Sequence, residues 1–206
     1  MKGLLCCIIL LQRHGFVSGS KPHDAPFTIQ EPSLTLKTIT QSIRIDADIE
    51  TVWRELVSPR AGETWRIAHF KTDWQVGELF EIETPIGSNI HRDKGRAIQV
   101  ERPSLLQYSY WSQIAGLPDV AESCSIITLR LAMEGARTTL QLEQLVPPTP
   151  SIRGPGWEVG EDSGWRHWEF YWRGSLSALK RVAEESSSGR ARGDVGATGA
   201  QDDCGD

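Results

Sequence analysis

General acid–base chemistry needs a carboxylate or an imidazole held in an apolar pocket with a shifted pKa. In this 206-residue chain the residues that could serve are Glu81, Glu83, Glu143, His91, His167 and Glu169. Their spacing speaks against each of them. Glu81 and Glu83 alternate with Phe80 and Ile82, which puts the two acids on the solvated face of a strand. Glu143 shares strand parity with Thr139 and Gln141, again the polar side. His167 and Glu169 fall off the apolar stripe of a long C-terminal helix, and His91 stands among Arg92, Asp93 and Lys94, where a solvated turn is expected. No catalytic residue is therefore assigned. The serines lack a G-x-S-x-G elbow, and the glycines form neither a P-loop nor G-x-G-x-x-G. The histidines are scattered, and Cys6, Cys7, Cys124 and Cys204 make no C-x-x-C pair, so neither metal nor cofactor is expected. Cysteine usage of this kind fits a reducing compartment better than a disulfide framework.

What remains is apolar recognition. The chain carries 8 Trp against 5 Phe and 3 Tyr, and tryptophan combines large apolar area with one N–H that needs a partner. Trp165, Trp168, Trp172, Leu176, Leu179 and Ala183 recur at steps of three or four and form one helical stripe. Set against Phe80, Ile82, Tyr108 and Tyr110, the three tryptophans would line a pocket for a flat or lipid-like small hydrophobic molecule. The same stripe would serve equally well as plain core. A net charge of −5 without a broad basic face argues against nucleic acid as a partner.

The elements that must hold these residues follow from periodicity. Thr38–Ile45 alternates as a half-buried strand. Asp46 or Asp48 can cap a short helix carrying Val52, Trp53, Leu56 and Val57, which Pro59 stops. A second helical turn is expected around Pro59–Ala68. Five further strands are read at Glu78–Thr84, Lys94–Glu101, Leu105–Ser112, Ser125–Met133 and Thr138–Val146. Six strands with few intervening helices imply an antiparallel sheet. Pro147–Gly164 reads as a crossing loop, and a helix of roughly 33 Å then runs to about Glu185. Gly174 inside it costs about 1 kcal/mol relative to Ala, which a close approach to another backbone would explain.

Residues 35–185 are thus expected to form the domain. Residues 1–34 read as an N-terminal extension and linker, and residues 186–206, rich in Ser, Gly and charge, as a disordered tail. Lys2 and the apolar run Gly3–Leu11 resemble a signal peptide spanning residues 1–19, but Gln12-Arg13-His14 interrupts the run early. The run is too short to cross a bilayer. The extension, and with it a cytoplasmic location, is the preferred reading; secretion is the alternative.

Four segments carry a family resemblance. Ala47-Asp48-Ile49-Glu50-Thr51-Val52-Trp53 resembles the first-helix start of activator of heat-shock-protein-90 ATPase homologue-like (Aha-type) domains, a branch of the START-like and Bet-v-1-like proteins. Asp73-Trp74-Gln75-Val76-Gly77-Glu78-Leu79-Phe80 is similar to that family's Trp-x-x-Gly-Gly-x-aromatic step, with Glu78 in place of the second glycine. Gly95 to Pro103 followed by Leu106 to Trp111 resembles its central hairpin, and Trp172-Arg173-Gly174-Ser175-Leu176 to Lys180 its closing helix. The resemblance implies an α+β helix-grip fold: two short helices after the first strand, and a curved antiparallel six-stranded sheet wrapped on a long C-terminal helix, enclosing an apolar cavity. It implies no single activity, because the fold hosts ligand carriers, cyclases, receptors and co-chaperone domains. A small hydrophobic ligand is the leading expectation. The alternatives are a chaperone partner or a polyketide cyclase or dehydratase-like activity. Residues 1–34 are too few for the separate chaperone-binding domain that full co-chaperones of this family carry. Trp53, Trp74, Trp111 and Trp172 belong to the family-like framework, Trp157 lies in the crossing loop and Trp65 has no assigned place.

Overall fold

A sheet with one apolar face needs a cover, and this chain supplies it from its own C-terminal half. The computed structural model describes residues 36–148, 152–154, 157–159 and 163–197, with side chains from 164 to 189 in the last of these. Seven strands, β1 (Lys37–Ile45), β2 (His69–Lys71), β3 (Leu79–Ile86), β4 (Asn89–Glu101), β5 (Leu105–Trp111), β6 (Ser125–Glu134) and β7 (Arg137–Val146), form one sheet in the order β1-β7-β6-β5-β4-β3-β2. Every neighbouring pair is antiparallel. Two short helices, α1 (Ile49–Val57) and α2 (Ala61–Thr64), link β1 to β2, and the long helix α3 (Ser163–Ala197) follows a small hairpin of β8 (Ile152–Gly154) and β9 (Trp157–Val159).

The inner face is set by strict alternation. Ile39 and Ile45 of β1, Leu140 and Leu142 of β7, Ile127, Leu129 and Leu131 of β6, and Leu106, Tyr108 and Tyr110 of β5 are all buried. Against them lie Trp172, Leu176, Leu179 and Ala183 of α3, the expected stripe, together with Val52, Trp53 and Leu56 of α1. Asp48 caps α1: its carboxylate accepts from the Thr51 N–H at 2.8 Å and from the Thr51 hydroxyl at 2.7 Å, satisfying a donor that the first helical turn leaves open. Side-chain bonds sew α3 to the β1 margin. Gln41 Nε2 donates to the Glu169 carbonyl at 3.0 Å, and Lys180 Nζ to the Arg44 carbonyl at 2.7 Å.

Three elements differ from the sequence reading. The sheet has seven strands, not six: β2 at its edge is three residues long, too short to show alternation. The crossing loop contains the hairpin β8–β9. Helix α3 continues past Glu185 to Ala197, through part of the stretch expected as a tail. The extension and linker of residues 1–34 and the segment 198–206 lie outside the described residues. No described helix is long and apolar enough to cross a membrane.

Two glycines in the family-like segments have opposite environments. Gly95 faces Phe80 across the β3–β4 ladder, and a Cβ there would stand 2.3 Å from the Phe80 ring and 2.9 Å from the Ser109 carbonyl oxygen. Gly174 has open space around it, with nothing within 4 Å of an added Cβ, so no close approach accounts for it. Gly95→Ala should lower stability by about 1–3 kcal/mol through overpacking. Gly174→Ala should raise it by about 0.5–1 kcal/mol through helix propensity. Urea unfolding of the two variants checks both signs; a neutral Gly95→Ala would contradict the Phe80 packing.

Candidate functional site

The interior divides along the sheet. The β1–β7–β6 side is aliphatic, whereas the β2–β5 side is built from rings. Phe70, Trp74, Phe80 and Tyr108 form one cluster in which every pair of centroids lies 5.3–6.2 Å apart. A second chain of rings runs from Tyr110 to Trp168 at 5.0 Å, on to Tyr171 at 5.3 Å and to Trp172 at 5.2 Å. Edge-on contacts of this kind suit the ring quadrupoles.

Of the seven residues singled out in the sequence, Phe80, Ile82, Tyr108, Tyr110 and Trp172 are buried on the inner face. Trp168 is half-buried against Tyr110. Trp165 is half-buried at the β1 margin, where its indole N–H donates to the Thr38 carbonyl at 3.4 Å. The structure thus brings Tyr110, Trp168 and Trp172 into one row and Phe80 and Tyr108 into another, with Trp165 away from both.

Polar groups are concentrated among these rings. Asp93, expected in a solvated turn with His91, lies in β4 and is 1% exposed. The pairing Ile82↔Asp93 turns its side chain inward. Its carboxylate accepts from the Tyr110 hydroxyl, from the Gln113 N–H at 2.8 Å and from the Ser112 hydroxyl at 3.3 Å. These bonds fasten the end of β5 and the turn after it to β4. Gln144, fully buried on β7, accepts the Trp172 indole N–H on its Oε1, while its Nε2 has no acceptor. Arg66, in the loop after α2, is 5% exposed, with its Cζ 4.4 Å from the Trp65 ring centroid and 4.3 Å from that of Phe70.

These groups share one support. Pro59 comes one residue after α1, just past its C-cap Ser58, and the helix's last carbonyls are left without intrahelical donors. Trp65 Nε1 donates to the Glu55 carbonyl at 3.0 Å, Arg66 Nη2 to Leu56 at 3.2 Å and Trp74 Nε1 to Val57 at 3.4 Å. Trp65, unplaced by the sequence, is one of three side chains closing the end of α1.

The polar candidates weighed in the sequence stay outside this interior. Glu81 and Glu83 are ion-paired with Lys71, at 3.0 and 2.8 Å, on the outer face of the sheet. Glu143 is exposed, His167 is exposed beside Trp168, and Glu169 pairs with Arg173 at 2.8 Å. Among the described residues no group of three or more His, Cys, Asp or Glu could hold a metal ion.

All three tyrosines of the chain lie in this half. Burial raises the pKa of Tyr108 and of Tyr110, and the Asp93 charge pushes Tyr110 further in the same direction. Burial also raises that of Tyr171, opposed by Arg66 and by hydrogen bonds to Ser175 and the Ile67 backbone.

An antiparallel sheet closed by a C-terminal helix, with two short helices after the first strand and rings between the layers, defines the helix-grip, START-like class. Within it, residues 46–184 match the family described as Activator of Hsp90 ATPase homolog 1-like protein, and the chain belongs to that family. A solution structure from Cytophaga hutchinsonii is similar at 25% identity and a TM-score of 0.57, over 75% of this chain and 99% of that one. A crystal structure from Chromobacterium violaceum shares 22% identity at a TM-score of 0.55, over 71% and 96%. One from Rhizobium loti shares 19% at 0.55, over 73% and 99%. The last two likenesses concern the fold alone. No curated protein matches the chain.

The tyrosine environments predict the alkaline limb of stability. Unfolded tyrosines ionise near pH 10 or so, whereas these stay protonated in the fold, so the unfolded state holds fewer protons above that pH and stability falls as pH rises. Tyrosinate absorbance should therefore appear in one step together with loss of circular dichroism. A separate component at the ordinary tyrosine pKa would show that one of the three hydroxyls is not enclosed.

Proposed function

We propose that the domain binds a small, flat apolar molecule between α3 and the inner face of the sheet, along the row of rings from Tyr110 to Trp172. The observation that carries this reading is the pairing of an aromatic interior with buried donors that lack acceptors, Gln144 Nε2 beside Trp172 foremost. Cores built only for stability favour aliphatic packing and matched polar groups. A few polar groups converging within an aromatic lining are instead the usual make-up of a ligand site. Trp168 would form its rim, being half-buried with its ring edge-on to Tyr110. Ligand carriage is one of the uses this fold supports, so the family is consistent with the reading without specifying it.

The neutral fluorophore N-phenyl-naphthylamine tests it. With lipid-free protein the probe should show saturable binding and quench tryptophan emission. Trp168→Ala should weaken binding by about tenfold, since half a ring of apolar contact is lost. Binding that never saturates, or that is unchanged in Trp168→Ala, would assign the rings to core packing alone.

A further inference from the structure

Among the buried groups, Arg66 is the one whose charge the fold does not need. The three carbonyls at the end of α1 require donors, and the Glu55 and Val57 carbonyls receive them from neutral indole N–H groups. At the middle carbonyl, Leu56, the donor is a guanidinium. Placing that charge in the interior costs several kcal/mol unless a counter-charge repays it. The helix end offers only about half a unit of negative charge. Among the described residues no carboxylate lies within ion-pair distance of Arg66, and its buried Nε has no acceptor. Trp65 and Phe70 lie against the cation; rings can hold a guanidinium while leaving in-plane N–H groups for an acceptor. Tyr108 belongs to the same ring cluster, and Tyr171 is hydrogen-bonded to the backbone of the next residue, Ile67. Ile67 is itself 58% exposed, so the backbone that carries Arg66 runs at the surface while the guanidinium itself points inward.

We propose that the ligand is an organic acid, a flat apolar body bearing a carboxylate, and that Arg66 binds the carboxylate beside Tyr108 and Tyr171. The proposal rests on the ligand-binding reading above and names its chemical class. The guanidinium fork matches a planar carboxylate in two parallel hydrogen bonds, which a lysine could not supply. The apolar body then lies along the row of rings that Tyr171 shares with Trp168 and Trp172.

The test compares two competitors with the same rings, naphthoate and naphthalenemethanol, for displacement of N-phenyl-naphthylamine. Naphthoate should compete about ten- to a hundredfold more strongly, the worth of a hydrogen-bonded charge pair. Arg66→Met should abolish that preference while the neutral probe still binds; the variant also removes the donor to the Leu56 carbonyl, so circular dichroism must first show it folded. Equal competition in the wild type, or a preference that survives Arg66→Met, overturns the assignment. A wild-type protein that does not bind the neutral probe sinks the underlying ligand-binding reading instead. Should Arg66→Met fail to fold, the wild-type Arg66 Nε–H resonance decides. It should shift with naphthoate and not with the alcohol, and an unmoved resonance overturns the proposal.

Discussion

Three backbone carbonyls at the end of α1 govern how this domain is put together. Pro59 ends the helix, so the carbonyls of Glu55, Leu56 and Val57 must find donors from elsewhere in the chain. They find them in Trp65 and Arg66 just after α2, and in Trp74 before β3. Those bonds draw the α2–β3 segment across one end of the sheet. The rings brought along with the donors then fill that end. Phe70 stacks on Trp74, and both meet Phe80 and Tyr108 rising from the strands.

The consequence is a division of labour within one interior. Leucine, isoleucine and valine on β1, β6, β7 and α1 give dense, featureless packing against the distal part of α3. The half toward β2 sets hydrogen-bonding side chains among its rings, placed by separate elements: Arg66 by the loop after α2, Asp93 by β4, and Tyr108 and Tyr110 by β5. Groups so separated in sequence can be tuned one at a time without disturbing the aliphatic half. This suits a fold that has been adapted to many uses.

Much of this was legible in the residues. Period-two alternation placed Phe80, Ile82, Tyr108 and Tyr110 on the inner face, and the three–four spacing placed Trp172, Leu176, Leu179 and Ala183 on the buried side of α3. Asp93 was hidden by its charged neighbours Arg92 and Lys94, although it shares parity with Gly95 and Ala97, which do face inward. Arg66 had no periodic signal at all. Its carbonyl partner lies ten residues upstream in another helix, and the rings around it come from a loop and a three-residue strand. Composition misled at the far end of α3, where serine and glycine read as a tail although i,i+4 pairs such as Lys180–Glu184 and Arg181–Glu185 support the helix just before that stretch.

The pairing of β1 with β7 also bears on synthesis. Among the described strands β1 is made first and lies at the sheet edge, yet its ladder partner there is nearly the last strand of the domain, with Lys37 opposite Val146. A growing chain must therefore hold β1 unpaired until β7 has emerged, and without its cover until α3 follows. Long-range closure of this kind slows folding and leaves a strand edge open meanwhile. In this domain the nascent strand most in need of a chaperone's protection is β1.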